Sequence, residues 1–213
     1  MKMNIADIRT DYKLMTLTES DVANNPFDQF TKWWQQAIHS QIDEVNAMTL
    51  ATVTKEGKPD ARIVLLKDFT EQGFVFFTNY HSKKGKEIAG NENAYLVFFW
   101  KELQRQVRIS GTIKKISAEE SDRYFYSRPS GSRLGAWSSP QSEIISSRAI
   151  LEKNEKVYLE KFGEQIPRPG HWGGYVVIPN SIEFWQGRSN RLHDRLQYSL
   201  KENNHWEIER LAP

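Results

Sequence analysis

Residues 94–116 read AYLVFFWKELQRQVRISGTIKKI, and the fold class follows from this stretch. Its two ends, Ala94–Trp100 and Gln104–Ile116, are rich in β-branched and aromatic residues, which is typical of strands. Only residues 101–103 separate them, and so short a connection favours an antiparallel pair. The stretch therefore predicts two neighbouring antiparallel strands.

Further strand-like segments lie on both sides of this pair. Upstream, Asp68–Gly73 reads as a hairpin turn between two of them, and downstream the strands are short and close together. Consecutive antiparallel strands interrupted by irregularly spaced helices predict an α+β fold with a closed or nearly closed antiparallel barrel. Outside the opening pair, the predicted strands are Ala47–Thr54, Ala61–Lys67, Phe74–Thr78, Gly173–Ile178, Ser181–Trp185, Arg191–Ser199 and His205–Arg210.

Capping signals place the helices. Asn25-Pro26 opens a helix with a buried stripe at the 3.6-residue period, formed by Phe27, Phe30, Trp33, Trp34, Ala37 and Ile38. Ser82 caps a short helix, and Ser117–Glu120 is a capping box for a helix that runs to Ser127. Pro129 and Gly131 form a turn after it. A longer helix is expected from about Ser139 to Gly163, with Ile144 on its buried side.

Composition excludes several classes of protein. The chain has 213 residues, no cysteine and a net charge of +2. It therefore has no disulfide framework, no Cys-ligated metal and no general nucleic-acid-binding charge. The scattered histidines predict no metal site. Without a signal peptide or an apolar stretch of membrane-spanning length, it is expected to be soluble and cytoplasmic. Residues 1–25 are expected to be a mobile arm before one domain, 26–213.

Two clusters of cations lie at strand and helix ends in the first half of the chain. Arg62 and Lys67 stand at opposite ends of an apolar strand, either at the rim of a ligand cleft or simply in solvent. Lys83 and Lys84 stand in the first turn of a helix, where the helix dipole disfavours cations unless an anion is bound. A phosphate site and a solvated charged turn are about equally compatible with this second pattern.

Two more clusters follow in the second half. Tyr124 and Arg128 share one face of a helix, and Ser132 follows in the turn after it. On the predicted strand that begins at Arg191, the side chains of Arg191, His193 and Arg195 point the same way, an arrangement that favours an anionic or electron-rich ligand among them. The four clusters together indicate one or two phosphorylated aromatic ligands.

At these same residues the chain resembles the pyridoxine (pyridoxamine) 5′-phosphate oxidase family, from about Arg9 to Pro213. The resemblance is carried by ordered blocks along the whole chain. They are Arg62–Lys67, Phe77–Asn79 with Ser82–Lys84, Gln104–Val107, Tyr124–Pro129, Gly135–Ser138 with Gln141-Ser142, Ile182–Gly187, Arg191–Arg195 and Glu209–Pro213.

The resemblance implies a split β-barrel with flanking helices that binds FMN at the interface of a homodimer. Arg62, Lys83 and Lys84 would hold the FMN phosphate. The residues implied to surround FMN are Arg62, Ile63, Val64, Leu65, Leu66, Lys67, Phe77, Thr78, Lys83, Lys84, Gln106, Gln141, Ser142, Trp185 and Arg195.

The resemblance also implies an activity, the oxidation of pyridoxamine 5′-phosphate and pyridoxine 5′-phosphate to pyridoxal 5′-phosphate. Molecular oxygen would accept the electrons, giving H₂O₂, with ammonia released from the amine. Arg191 and His193 would be catalytic and lie against the pyridine ring, while Arg9 and Tyr12 would close over the substrate. The substrate phosphate would be held by Lys67, Tyr124, Arg128 and Ser132.

Two positions depart from the family pattern. Lys83 stands where Arg is common, so a bidentate contact is lost, and Phe77 stands where Tyr is common. The alternative to an oxidase is a protein that binds pyridoxal phosphate or flavin without turnover. A binder of nucleic acid is disfavoured by the nearly balanced charge, and no membrane partner is expected.

Overall fold

A computed structural model describes residues 4–8 and 10–213. In this part of the chain the strands are β1 (Ala47–Val53), β2 (Pro59–Leu65), β3 (Asp68–Thr70), β4 (Gly73–Asn79), β5 (Asn93–Trp100), β6 (Arg105–Lys115), β7 (Trp172–Gln186), β8 (Asp194–Leu200) and β9 (Trp206–Arg210). The α-helices are α1 (Pro26–His39), α2 (Lys83–Gly90), α3 (Ala118–Ser127), α4 (Ser130–Ser138) and α5 (Ala149–Phe162).

The sheet curls because of its strand order, β2-β1-β5-β6-β7-β4-β3. In a flat sheet the two outermost strands, β2 and β3, would lie about 29 Å apart, at about 4.8 Å per strand. Yet β2 ends at Leu65 and β3 begins at Asp68, a link that spans at most about 11 Å. The two ends of the order must therefore approach each other, and the fold is an antiparallel split barrel, as the strand pattern predicted.

The strand pairing differs from the sequence prediction in two places. Asp68–Gly73 is not a turn between two longer strands, because residues 68–70 form β3, which pairs antiparallel with β4. The two strands predicted on either side of Pro179 are one strand, β7. Its residues 172–177 pair with β4 and its residues 181–186 pair with β8. Pro179, which cannot donate a ladder hydrogen bond, lies between these two ladders.

The described residues divide into two compact units. The first unit comprises Met1–Thr49, Tyr95–Ser110 and Pro179–Pro213, and the second comprises Leu50–Ala94 and Gly111–Ile178. Within the first unit, Leu17 is buried and its N–H donates to the Asp194 carboxylate (3.0 Å). The assignment of residues 1–25 to a mobile arm and of 26–213 to one domain stays a prediction.

Helix α1 supplies much of the first unit's core. Asn25 caps it through the N–H of Phe27 (2.8 Å), as expected. Phe30 and Trp33 are buried, and the Trp33 ring meets that of Phe184 edge to face with centroids 5.2 Å apart. Ile38, predicted in the same stripe, is instead 49% exposed at the end of the helix.

The second unit has its own aromatic core beneath α3 and α4. Phe125, Leu134, Ile166 and Trp172 form a buried cluster. The predicted capping box is present, since the Ser117 hydroxyl accepts from the N–H of Glu120 and the Glu120 carboxylate accepts from the N–H of Ser117. Capping fixes the start of α3 and so fixes which of its faces meets this core.

The helix expected from about Ser139 to Gly163 is wrong for its first ten residues. Residues 139–148 are not helical, and α5 begins only at Ala149. Pro140 disfavours helical backbone at the residue before it, and Ser142 has a left-handed φ of 73°. Consequently Ile144 is fully exposed rather than buried. Pro129 ends α3 but is followed at once by α4, so Ser132 lies in a helix and not in a turn.

No helix in residues 4–8 and 10–213 is long and apolar enough to cross a membrane.

The role of the first unit's aromatic core can be tested with Phe184→Ala. Phe184 is completely buried between Trp33 and Tyr198, so its truncation should cost about 3–5 kcal/mol of unfolding free energy. The control Ile144→Ala, at the exposed position, should change stability by less than about 0.5 kcal/mol. Urea denaturation followed by tryptophan fluorescence measures both, and comparable losses would contradict the assigned burial.

Candidate functional site

A cleft of about 690 Å³ lies in the second unit. Its size is within the usual range for a small-molecule site. Strands β2 and β4, helices α3 and α4 and the segment after α4 form its walls. The lining residues are Ile63, Val64, Leu65, Lys67, Phe77, Thr78, Asn79, Lys84, Tyr124, Arg128, Pro129, Ser132, Gly135, Ala136, Ser139, Gln141 and Trp172.

The charged side chains that line this cleft are all positive. Lys67, Lys84 and Arg128 line it, and among the described lining residues none is acidic. The Nη1 atom of Arg128 is buried and has no hydrogen-bond partner, and burial lowers the pKa of this guanidinium. An unpaired buried donor is costly. The cleft is therefore complementary to an anion that would accept a hydrogen bond from Arg128.

Three aromatic rings lie nearly parallel at the same cleft. The Phe77 ring stacks on Tyr124 with centroids 4.0 Å apart and on Trp172 at 5.4 Å. The guanidinium of Arg128 lies 4.6 Å from the centroid of the Trp172 ring. This cation–π contact fixes the side chain from one side and leaves Nη1 free to donate. Phe77, which departs from the family pattern, thus acts here through ring packing.

A second polar group in the cleft centres on Thr78. Lys84 Nζ donates to the Thr78 hydroxyl (3.3 Å), and that hydroxyl contacts Gln141 Oε1 at 3.3 Å. Lys84 is buried. Burial, with the positive charge of Arg62, lowers the pKa of Lys84. A bound anion would reverse this effect, because it favours the charged ammonium.

Two predicted phosphate ligands are instead paired with carboxylates. Arg62 Nη2 lies 2.8 Å from Asp60 Oδ2 and 2.9 Å from the buried Glu87 Oε2, and its Nη1 donates to the Thr52 hydroxyl. Lys83 is 65% exposed and lies 2.7 Å from Asp60. The hydrogen bond from Lys83 is the main reason that the pKa of Asp60 is lowered to about 2. Neither cation lines the cleft.

In the first unit, Tyr12 packs against Trp185 and His193. The Trp185 and His193 ring centroids are 4.6 Å apart, and the Tyr12 ring meets Trp185 edge-on at 5.8 Å. Gly187 makes room for Tyr12, since a Cβ there would lie 2.5 Å from Tyr12 Cδ2. Ser189 Oγ also donates to the Tyr12 carbonyl (3.3 Å). The role that the resemblance implies for Tyr12, to close over the substrate, stays a prediction.

The backbone around Arg191 differs from the sequence prediction. Strand β8 begins only at Asp194, and Arg191 is the last residue of a short 3₁₀ helix with a left-handed φ of 63°. Arg191, His193 and Arg195 therefore do not share one strand face. Such backbone in a residue other than glycine is strained, and strained residues concentrate at functional sites.

The surroundings of His193 favour the neutral form of its ring. Burial, with the positive charge of Arg191, lowers its pKa from the usual 6.5. The N–H of Arg188 donates to Nδ1 (3.1 Å), so the neutral ring carries its proton on Nε2. Arg195, by contrast, is paired, because it donates to the buried Glu183 through Nε (2.8 Å) and Nη2 (3.1 Å). The same carboxylate also accepts from Arg108 Nη1 (3.1 Å).

The structure thus separates the predicted site residues into groups. Those gathered in the cleft of the second unit are Ile63, Val64, Leu65, Lys67, Phe77, Thr78, Lys84, Tyr124, Arg128, Ser132 and Gln141. Arg62, Leu66, Lys83 and Ser142 belong to the same unit but do not line that cleft. Those in the first unit are Tyr12, Gln106, Trp185, Arg191, His193 and Arg195. Arg9 lies outside the described residues.

Sequence reasoning missed several residues that the structure brings to these sites. Trp172 and Asn79 line the cleft, and Glu183 neutralises Arg195. Glu183 carried a signal, because a carboxylate in an apolar strand is buried only with a partner. Trp172 carried no such signal, because a Trp at the start of an apolar strand is typical of any buried strand. In residues 4–8 and 10–213, no group of three or more His, Cys, Asp or Glu side chains could hold a metal ion.

Fold and cleft together define an antiparallel split-barrel protein with a cleft that is complementary to an anion. A family model described as pyridoxamine 5′-phosphate oxidase matches residues 34–159. Another, described as the pyridoxine 5′-phosphate oxidase C-terminal dimerisation region, matches residues 172–213. The chain belongs to the pyridoxamine 5′-phosphate oxidase family and contains its dimerisation region. Proteins of this family are FMN-binding oxidoreductases.

Relatives of high identity extend over the whole chain. A pyridoxine/pyridoxamine 5′-phosphate oxidase of Nostoc sp. is 61% identical over 214 residues, which cover 100% of both chains. The protein of that name from Burkholderia mallei is 58% identical over 211 residues, covering 98% of this chain and 99% of that one. The similarity therefore extends over the whole chain.

Solved structures agree on the fold. PhzG from Burkholderia lata, in complex with tetrahydrophenazine-1-carboxylic acid, has a TM-score of 0.88 at 27% identity and covers 96% of this chain and 100% of its own. A pyridoxamine 5′-phosphate oxidase-related, FMN binding protein from Nostoc punctiforme has a TM-score of 0.71 at 18% identity, covering 93% of this chain and 100% of its own. The second likeness concerns the fold alone.

The pairing of Arg62 predicts a role in stability. Arg62→Ala removes the cation that is hydrogen-bonded to the buried Glu87 carboxylate and leaves it only the exposed Lys83, 3.9 Å away. This loss should cost about 3–5 kcal/mol of unfolding free energy. Lys83→Ala, the neighbouring exposed cation, should cost no more than about 1 kcal/mol. Chemical denaturation of the two variants measures both values. Equal, small losses would show that Arg62 does not stabilise the fold.

Proposed function

We propose that this chain oxidises pyridoxamine 5′-phosphate and pyridoxine 5′-phosphate to pyridoxal 5′-phosphate, with FMN as cofactor and O₂ as electron acceptor. The observation that carries the proposal is the unpartnered, buried Nη1 of Arg128 in a cleft without acidic lining residues. Family membership supports the same chemistry. The cytoplasmic location expected from the sequence stays a prediction.

The substrate phosphate is assigned to the α3–α4 end of the cleft. Arg128 would donate from Nη1, and the Tyr124 and Ser132 hydroxyls and Lys67, which line the same cleft, would complete the set. Phosphate accepts several charge-assisted hydrogen bonds, and Arg is suited to it by its fixed donor geometry. The substrate phosphate lies away from the carbon that is oxidised, and the binding energy of the phosphate would orient that carbon.

The residues also fit an FMN cofactor. Lys84, Thr78 and Gln141 form one polar group at the cleft, and the apolar side chains of Ile63, Val64 and Leu65 supply a wall for a planar ring. Lys84, whose pKa is lowered by burial, is the cation in this group that would gain most from a phosphate. Bound FMN would supply hydride acceptance from the substrate carbon and reoxidation by O₂.

The remaining predicted residues are assigned to a homodimer. Trp185, Arg191, His193 and Arg195 all lie in the matched dimerisation region, and Ile63 is 64% exposed on strand β2 although it lines the cleft. These observations support FMN at the interface between two copies. Arg191 would orient the substrate ring, and the neutral His193, with its proton on Nε2, would assist proton movement there.

The test is the visible spectrum of the purified protein with and without substrate. The protein should be yellow or take up FMN on incubation. Adding pyridoxamine 5′-phosphate in air should then release peroxide. A protein that binds no FMN would refute the proposal. One that binds FMN and pyridoxal 5′-phosphate but releases no peroxide from either substrate would be a binding protein rather than an oxidase.

The variant Arg128→Ala tests the assignment of the phosphate. A hydrogen bond from a charged donor contributes about 1.5–3 kcal/mol, so the KM for pyridoxamine 5′-phosphate should rise roughly 10- to 150-fold. FMN retention should stay within about twofold, since Arg128 is assigned to the substrate. Steady-state kinetics and flavin absorbance measure the two quantities.

Arg123→Ala is the matched control, because Arg123 is an exposed arginine on the same helix. Its KM should equal that of the unmodified protein. Equal effects of the two substitutions would indicate a general electrostatic contribution and contradict a specific contact by Arg128.

A further inference from the structure

The turn at Gln104 has an unusual backbone. It follows a short 3₁₀ helix, Lys101–Leu103, and has φ 53° and ψ 42°, the left-handed region. Only a few per cent of residues other than glycine adopt it. Such strain persists where the surrounding structure fixes the backbone, and it concentrates at sites with a function.

A buried frame holds this turn from within the first unit. The fully buried Gln186 donates from Nε2 to the carbonyl oxygens of Leu103 (3.2 Å) and Gln104 (3.1 Å). The N–H of Gly187 donates to the same Gln104 carbonyl (2.8 Å). Arg105, also buried, donates from Nε to Gln186 Oε1 (2.9 Å). Gln104 is therefore a fixed point rather than a flexible loop residue.

The side chain of this fixed residue reaches the N-terminal segment. Gln104 Oε1 accepts the backbone N–H groups of Lys13 (3.0 Å) and Leu14 (3.2 Å). Residues 10–25 contain no helix or strand, so these two donors have no ladder to join. One amide oxygen thus satisfies both of them and sets the path of the chain at this point.

Tyr12 immediately precedes the two residues that are held. Its ring lies 5.8 Å from Trp185 and 6.1 Å from His193, measured between centroids. It fills the space above Gly187, whose N–H is bonded to Gln104. Two bonded residues therefore determine this path. Gly187 provides the surface on which Tyr12 packs, and the Gln104 side chain accepts the N–H groups of the next two residues.

We propose that Gln104 is a positioning residue whose side-chain oxygen holds Lys13 and Leu14, so that Tyr12 stays against Trp185 and His193. It contacts neither substrate nor cofactor and acts through Tyr12. The effect on catalysis rests on the proposed function and on the role that the family resemblance implies for Tyr12, which is to close over the substrate. The effect of Gln104 on the path of residues 12–14 does not rest on the proposed function.

Gln104→Ala tests the kinetic consequence. It removes the acceptor of two hydrogen bonds, so the KM for pyridoxamine 5′-phosphate should rise roughly tenfold with kcat within about twofold. Gln104→Glu, which keeps an acceptor at the same reach, should restore the original KM. The matched control is Gln41→Ala, another glutamine at φ 53° in an exposed turn. An unchanged KM in Gln104→Ala would overturn the proposal.

A double-variant cycle separates positioning from general stability. In a Tyr12→Ala background, Gln104→Ala should raise the KM no further, because nothing remains to be positioned. If the KM of the double variant instead rises by the product of the two single effects, Gln104 acts independently of Tyr12, and the proposal would fail.

Limited trypsin digestion gives a readout that does not need activity. Lys13 is an exposed residue, but the peptide bond after it lies between the two N–H groups held by Gln104. Cleavage there, followed by mass spectrometry of the new N-terminus at Leu14, should be roughly tenfold faster in Gln104→Ala than in Gln41→Ala. Equal rates would refute the proposed contact.

The trypsin result also distinguishes two kinds of failure. If the unmodified protein oxidises neither substrate, the proposed function fails, and the cleavage rates alone decide whether Gln104 fixes the segment. If the protein is an active oxidase but the cleavage rates are equal, the positioning role fails and the proposed function stands.

Discussion

The two-residue link between β2 and β3 is the constraint from which the candidate site follows. It joins strands at opposite ends of the sheet order, so the sheet has to curl. Lys67 is the second residue of this link, and its N–H donates to the Val75 carbonyl (2.9 Å) on β4. That bond links the end of β2 to β4, and both strands line the cleft, β2 through Ile63–Leu65 and β4 through Phe77–Asn79. The contact that closes the sheet therefore also brings together two strands that line the cleft.

The cations of the chain are distinguished by their partners. Arg62, Lys83 and Arg195 lie against carboxylates and form ion pairs within the protein. Lys84 and Arg128 line the cleft with few or no partners for their charges. Burying an uncompensated charge is costly. Such a charge is tolerated where a ligand supplies the opposite charge, which is why the proposed function assigns anionic groups to Lys84 and Arg128 rather than to Arg62, Lys83 and Arg195.

Much of the fold could be predicted from local signals. Asn25, Ser82 and Ser117 all cap helices as their sequence contexts predicted, because caps depend on residues within one turn. The continuous β7 and the pairing of β3 with β4 could not be predicted, since they depend on strands distant in sequence. The helix expected from Ser139 failed for a different reason, which is local. Its apolar spacing suited a helix, but Pro140 stopped it locally.

Only part of the candidate site could be predicted from the sequence. The resemblance named Lys67, Tyr124, Arg128 and Ser132 together, and the structure brings all four to one cleft. It named Arg62 and Lys83 as phosphate ligands, and the structure pairs both with Asp60. Charge patterns along a strand or helix show where cations are, but their partners, such as Glu87, come from other elements.

The central claim is that Arg128 Nη1 is held unpartnered for the phosphate of a vitamin B6 substrate. A crystal structure of the protein with FMN and pyridoxal 5′-phosphate tests it most directly. The account predicts a phosphate oxygen within about 2.7–3.2 Å of Arg128 Nη1, with the guanidinium still over the Trp172 ring. A phosphate bound elsewhere, with Arg128 Nη1 still unpaired, would contradict the account.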